Sequence, residues 1–341
     1  MDEINFSAVE AAQQRIAGRV RRTPLVPSAT LSRELGCHVY LKLELFQKTG
    51  SFKVRGAFHK MLPLPRGSRV VAVSGGNHAQ AVAYAASELG MRARILMPQT
   101  TSANYVAATR GYGAEVELTA SIADAFTGAE AAVAEGWTMV HPFDDVDVIA
   151  GQGTVGAEIL EDLPEVTDVM VSIGGGGLAT GVAAAIKARR PQARIWGVET
   201  EGADAMAQAL AAGHIVQLPA ITSIARTLGA PAVSERTLGA AQRWLESVTV
   251  VPDAEAIAAL QFLLERCKVL TEPAASCTLA AARRLAPRFS PASHMVLILC
   301  GGNLALSDLC AWTRDSLVWA RAPERPPAKG IIAAQKIAPG R

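Results

Sequence analysis

The sequence predicts an α/β protein built on mainly parallel sheets. Three stretches carry that expectation, each running from a short apolar strand through a glycine-rich turn into a helical run. They are VVAVS–GGNH–AQAVAYAASELG, which ends at Gly90, VMVSI–GGGG–LATGVAAAIKARR (169–190) and MVLILC–GGN–LALSDL (295–309). Strand–turn–helix units in series build parallel sheets, and further strands are expected at RARILM (92–97) and ARIWGVE (193–199). Ligands of such sheets bind at the carboxyl ends of the strands, where these three loops lie. Upstream, Ser7 and Glu10 fit a capping box that opens a first helix running to about Arg19. At the other end, residues 323–341 are rich in Pro and Ala without periodicity, so a loosely ordered tail is expected.

The chain has 341 residues, half of them apolar, which suits about two domains with well-buried cores. A net charge of +2 gives no electrostatic footprint for nucleic acid or an anionic membrane. No apolar run approaches the roughly 18 residues of a membrane span. The start of the chain carries Asp2 and Glu3 and lacks the basic and apolar regions of a signal peptide. Cys37, Cys267, Cys277, Cys300 and Cys310 are widely spaced with no CxxC pair, and read as reduced thiols. The expectation is a cytoplasmic protein that handles a small molecule, with no nucleic-acid or membrane partner.

Gly174, Gly175, Gly176 and Gly177 follow an apolar strand and open a helix. A helix N-terminus offers unpaired N–H groups and partial positive charge, and glycine lets an anion approach them closely. The loop therefore reads as a phosphate site. A tight turn alone would not require four glycines in a row. A P-loop would need Gly-Lys-Ser/Thr, which does not follow. A dinucleotide fingerprint fits loosely, with Gly174, Gly176 and Ala179 spaced G-x-G-x-x-A and Glu199 ending the next strand, but it explains none of the other loops.

Lys53 lies in SFKVRGA, after the strand YLKLELF, among Phe52, Val54 and Arg55. Alone it is an ordinary surface lysine with a snorkelling stem. Apolar neighbours and a second cation, Arg55, would lower its pKa and favour a nucleophilic amine. The loop SGGNHAQ (74–80) adds amide donors at a helix start and the side chains of Ser74 and Asn77, which suit a carboxylate and a phenolic oxygen; Asn77 taken alone is as well read as a helix cap. Cys300, ending a strand at CGGN, is either a small core residue or a neutral partner for a heteroaromatic nitrogen.

SFKVRGA, SGGNHAQ, HPFDDVDVIAGQGT (141–154), GGGGLATG, EPAAS and CGGN, in matched order across roughly residues 18–310, resemble the serine/threonine dehydratase group of fold-type II pyridoxal-5′-phosphate (PLP) enzymes. That group includes serine racemase and phenylserine dehydratase. The resemblance implies a tryptophan-synthase-beta-like fold of two α/β domains with twisted, mainly parallel sheets and PLP between them. The larger would comprise 1–64 and 150–322, and the smaller, mobile one 65–149. It further implies Lys53 as the Schiff-base lysine and catalytic residue, and Phe52 packed against the cofactor ring. Asn77 would face the phenolic oxygen, Gly174 to Gly177 with Leu178 would form the phosphate cup, and Cys300 would face the pyridine nitrogen. Ser74, Asn77 and His78 would receive the substrate carboxylate, and the enzyme would be a homodimer.

The implied reaction is α,β-elimination from a β-hydroxy-α-amino acid such as threonine, serine or 3-phenylserine, giving a 2-oxo acid and ammonia. Lys53 removes the α-proton, and either Lys53 or the cofactor phosphate protonates the leaving hydroxyl. Two alternative readings are a serine-racemase-like enzyme and a non-catalytic PLP-binding protein. Relatives that racemise carry a serine two residues before the loop asparagine, where this chain has Gly75. Relatives that bind a cation, monovalent or divalent, do so through positions matching Glu199 and the Ala203 carbonyl, but Ala205 stands where a further acid can occur. The usual SIADGLA-like stretch reads SIARTLG, with Arg226 and Thr227 in place of Asp and Gly near the substrate mouth.

Overall fold

The computed structural model describes residues 4–319 and 331–333. Eleven strands form two sheets. They are β1 (Leu25–Pro27), β2 (His38–Leu43), β3 (Arg69–Val73), β4 (Arg92–Pro98), β5 (Glu115–Thr119), β6 (Thr138–Met139), β7 (Asp168–Ser172), β8 (Arg194–Thr200), β9 (Leu245–Val251), β10 (His294–Leu299) and β11 (Ile331–Ala333). The larger sheet runs β1-β2-β10-β7-β8-β9-β11, and the smaller runs β5-β4-β3-β6. Pairing is parallel throughout except at the two edges of the larger sheet, where β1 and β11 lie antiparallel to β2 and β9. The expected α/β class with mainly parallel sheets is what the chain adopts. Of the segment 323–341, Ile331–Ala333 is this edge strand; the remainder lies outside the described residues.

Parallel strands are covered on both faces, so they read as unbroken apolar runs. Met295 to Leu299 of β10 and Val169 to Val171 of β7 are completely buried, which is why both strands were visible in the sequence. In the smaller sheet the two faces feed two separate cores. Val70 and Ala72 pack with Ala79, Val82 and Ile95, whereas Val71 and Val73 pack with Leu96, Ala125 and Ala129, as the two-residue period of a strand requires.

The first helix spans Phe6–Ile16, and its N-cap is Asn5, whose side chain accepts the Ala8 amide. The capping box expected at Ser7 therefore does not form. Asn is an equally good cap, and it lies two residues earlier, which puts Ser7 inside the first turn.

Three helices meet backbone to backbone behind the future site. Helix Val146–Asp162 lies between helix Lys53–Met61 and helix Gly177–Arg189. A Cβ on Gly151 would fall 2.6 Å from Gly56 Cα, and one on Gly181 would fall 2.4 Å from the Ile149 carbonyl oxygen. Only glycine permits that approach. The same helices enclose a buried ionic cluster. The Arg55 guanidinium donates to both oxygens of Glu44 and both of Glu158, while Lys42 donates to Glu158 at 2.6 Å and to the Thr23 carbonyl at 2.8 Å. Two cations face two carboxylates in full burial.

Candidate active site

A cleft of about 660 Å³ opens at the carboxyl ends of the strands, between the loops after β3 and β7. Its lining includes Lys53, Ser74 to His78, Gly175 and Glu272. The sequence-expected lysine, asparagine loop and glycine loop thus share one cavity. Phe52, Leu178 and Cys300 lie in the large core cluster beside it.

Lys53 is the first residue of its helix, and its Nζ donates to the Pro142 carbonyl at 2.7 Å. Burial lowers its pKa to about 8, against smaller opposing effects of Cys300 and Glu272. The lowering expected from apolar neighbours is present as burial, but the contribution expected from Arg55 is not. Two residues apart on a helix, the side chains do not face each other, and the Arg55 guanidinium is taken up by Glu44 and Glu158. The other lysines of this region are engaged elsewhere: Lys42 in the ionic cluster, and Lys60 with Asp145 and Asp147. Phe52 places its ring centroid 5.3 Å from Lys53 Nζ.

Helix Gly177–Arg189 is thirteen residues long, and the amides of its first turn have no acceptor within the helix. Gly176 has φ +94° and forms the turn into it. A Cβ on Gly175 would land 2.1 Å from the Phe143 ring, and one on Gly174 would sit 3.0 Å from the Leu228 carbonyl oxygen. The cradle is bare backbone closed in by its neighbours. Those features fit a phosphate.

Asn77 starts the helix Asn77–Leu89 and is held at both ends of its amide. Its Nδ2 donates to Glu272 Oε1 at 2.8 Å, and its Oδ1 accepts from Asn303 Nδ2 at 2.8 Å. An amide nitrogen has two hydrogens, so one donor of Asn77 is left for an acceptor such as a phenolic oxygen. Ser74 Oγ accepts the Gly76 amide at 3.0 Å, shaping the loop. His78 Nε2 faces the Val140 carbonyl at 2.8 Å, and burial drives its pKa down to about 3, so the ring is neutral. Cys300 Sγ accepts from Ser172 Oγ at 3.3 Å, and burial pushes its pKa up to about 12. It is an uncharged thiol at neutral pH.

Glu272 and Asn303 were not singled out from sequence as members of this site, and Thr227 was noted only as a departure near the substrate mouth. EPAAS and CGGN contain the first two, but only folding brings Glu272 to Asn77, 195 residues away. Glu199 is completely buried, and its oxygens accept the Met206 and Ala207 amides at 2.9 and 2.8 Å. The carboxylate thereby caps helix Ala205–Ala212, and Ala203 lies on the turn before it, bridged to Thr200. Among the described residues no cluster of three or more His, Cys, Asp or Glu side chains is arranged to hold a metal ion. No described helix is long and apolar enough to cross a membrane.

Fold and cleft together define the class of fold-type II PLP enzymes. The chain belongs to the pyridoxal-phosphate dependent enzyme family, whose profile matches residues 16–301, and within it to the serine/threonine dehydratase group; it is a PLP-dependent lyase. It is 40% identical over 319 residues to an L-threonine ammonia-lyase of Geobacter sulfurreducens, covering 92% of this chain and 79% of that protein. It is 38% identical over 303 residues to a phenylserine dehydratase of Ralstonia pickettii, covering 88% and 93%. A solved structure of maize serine racemase matches with a TM-score of 0.85 at 34% identity, covering 94% of this chain and 100% of that one.

Proposed function

We propose that the chain dehydrates and deaminates a β-hydroxy-α-amino acid, releasing a 2-oxo acid and ammonia. The observation that carries this reading is Lys53, half-buried with a lowered pKa in the same cleft as the glycine cradle and the anchored Asn77. In this reading the amides of Gly174 to Leu178 would hold the PLP phosphate, the free N–H of Asn77 would serve the ring oxygen, and Phe52 and Cys300 would flank the ring. The chemistry that PLP supplies when bound is withdrawal of electrons from the substrate Cα. Lys53 Nζ takes the α-proton as general base. Cys300, uncharged, would not hold a proton on the ring nitrogen as a carboxylate would, an environment that would favour loss of the β-hydroxyl over transamination. Ser74, Asn77 and His78 lie where the substrate carboxylate would enter. The unit 65–149, with its own four-stranded sheet, would close over the substrate. Production of 2-oxo acid across a panel of L- and D-β-hydroxy amino acids tests the reading; an internal cofactor absorbance band without turnover on any of them would leave a PLP-binding protein instead.

The substrate proposed is 3-phenylserine, with L-threonine as a weaker one. Apolar side chains supply a wall for an aryl group: Ile122, Phe126, Leu218, Ile221 and Trp312 all line the cleft. Discrimination by apolar contact amounts to roughly 10–200-fold per methylene-sized difference and is not absolute, so the two activities should overlap. Both L-threonine and L-threo-3-phenylserine should be consumed, with the higher kcat/KM for the aryl substrate. Competing the two in one vessel measures that ratio, and preferential loss of threonine would reverse the assignment.

Dehydration should far exceed racemisation. Gly75 offers no proton on the side opposite Lys53, and a Cβ there would lie 2.6 Å from Thr101 Oγ1. Gly75→Ser alone therefore forces Thr101 to turn away. Chiral chromatography of residual substrate should show almost no D-enantiomer in the wild type. D-enantiomer accumulating as fast as 2-oxo acid would refute the one-base site.

A further inference from the structure

We propose that Thr227 is a positioning residue, which fastens the mouth loop to the Asn77 side chain through the single carboxylate of Glu272. Thr227 lies in the long connection between helices Ala205–Ala212 and Glu235–Trp244. Its hydroxyl donates to Glu272 Oε1 at 2.8 Å, the same oxygen that accepts Asn77 Nδ2 at 2.8 Å. Its methyl is seated over Gly76, where a Cβ would stand 3.1 Å away. A β-branched side chain has few χ1 choices, so methyl and hydroxyl fix each other's direction. Beneath the carboxylate, a Cβ on Gly301 would lie 3.0 Å from Glu272 Cδ and 3.1 Å from Asn77 Nδ2, so a side chain at 301 would crowd the pair. Asn303 completes the set, donating to the Thr49 carbonyl at 2.7 Å and to Asn77 Oδ1. Mouth loop, carboxylate and asparagine amide form one hydrogen-bonded unit. A glycine at 227 would break it at the first link.

Glu272 is completely enclosed, and the titratable groups that face it are Lys53, Tyr105, Cys277 and Cys300. Burial raises its pKa to about 7, and the Thr227 hydroxyl is the largest influence in the opposite direction. Loss of that hydroxyl moves the pKa further up. Glu272, about half protonated at pH 7 with the hydroxyl in place, is then mostly protonated and serves Asn77 less as an acceptor.

The inference rests on the reading of Asn77 as the residue facing the cofactor ring. Its test is a pH titration of the absorbance of the cofactor-loaded protein, with no substrate, together with the pH profile of kcat/KM. Thr227→Val keeps the bulk and removes the hydroxyl; Thr227→Ser keeps the hydroxyl and removes the methyl. The valine variant should move the midpoint of the spectral titration up by about one pH unit and lower kcat/KM at pH 7 by about tenfold, the scale of one hydrogen bond to a charged group. The serine variant should stay within about twofold of wild type. If Thr227→Val does not fold, Thr227→Ala removes the same hydroxyl and is read in the same way. An unmoved midpoint, a wild-type spectrum that is flat across neutral pH, or serine as damaging as valine would overturn the role. Absence of any cofactor band from the wild type would instead overturn the PLP reading of the site.

Discussion

Replacing Lys53 by alanine removes the absorbance band of lysine-bound cofactor and nearly all turnover. General-base catalysis alone contributes about 10²–10⁴-fold, and the covalent anchor is lost with it. No other lysine among the described residues lines the cleft. Lys42 is locked between Glu158 and the Thr23 carbonyl, and Lys60 pairs with Asp145 and Asp147. The lowered pKa adds a pH signature. With a pKa of about 8, roughly a tenth of the free amine is neutral at pH 7, rising to half at pH 8. Covalent capture of PLP by stripped protein should therefore speed up roughly fivefold over that step, because only the neutral amine attacks. Absorbance after mixing measures the rate. A band that persists in Lys53→Ala would move the anchor to another lysine.

Replacing Arg55 by alanine should cost about 3–5 kcal/mol of stability, the penalty for stripping one partner from a buried ion pair. Glu44 and Glu158 would be left with Lys42 as the one cation of the cluster, and of these two carboxylates Lys42 donates only to Glu158. Arg55→Lys should recover only part of the loss, since an ammonium cannot span both carboxylates as the guanidinium fork does. Urea unfolding followed by far-ultraviolet circular dichroism gives the comparison. A loss below about 1 kcal/mol would mean that water enters the cluster and replaces the missing donors.

What the sequence made legible follows from distance along the chain. β3, β7 and β10 and the loops after them were visible because a parallel strand buried on both faces is a continuous apolar run, and its ligand loop comes next in order. Lys53, Asn77 and the four glycines all lie on such local features. The neutral state of Cys300 was legible from residue type. Partnerships across the fold were hidden. Arg55 seemed a neighbour of Lys53 because it is two residues away, yet its partners are Glu44 and Glu158, 11 and 103 residues away. Glu272 was inside a quoted motif, but its tie to Thr227 spans 45 residues and depends on a loop with no periodicity to read. The two-residue β6 and the Asn5 cap were too short for any pattern to mark.

The contact of Gly151 with Gly56, and of Gly181 with Ile149, bears on how this enzyme can change. Lys53 and the glycine loop each open a helix, and both helices rest on main chain rather than on interchangeable side chains. Mutation elsewhere has little means of altering the gap between them. The mouth loop touches Gly174 with the Leu228 main chain, but much of what it brings to the site is side chain, such as Thr227 and Arg226, each replaceable by a single substitution. New substrates should therefore be acquired at the mouth while the reaction is inherited intact, and laboratory selection for altered specificity should enrich changes at 217–231 and leave the glycine contacts untouched.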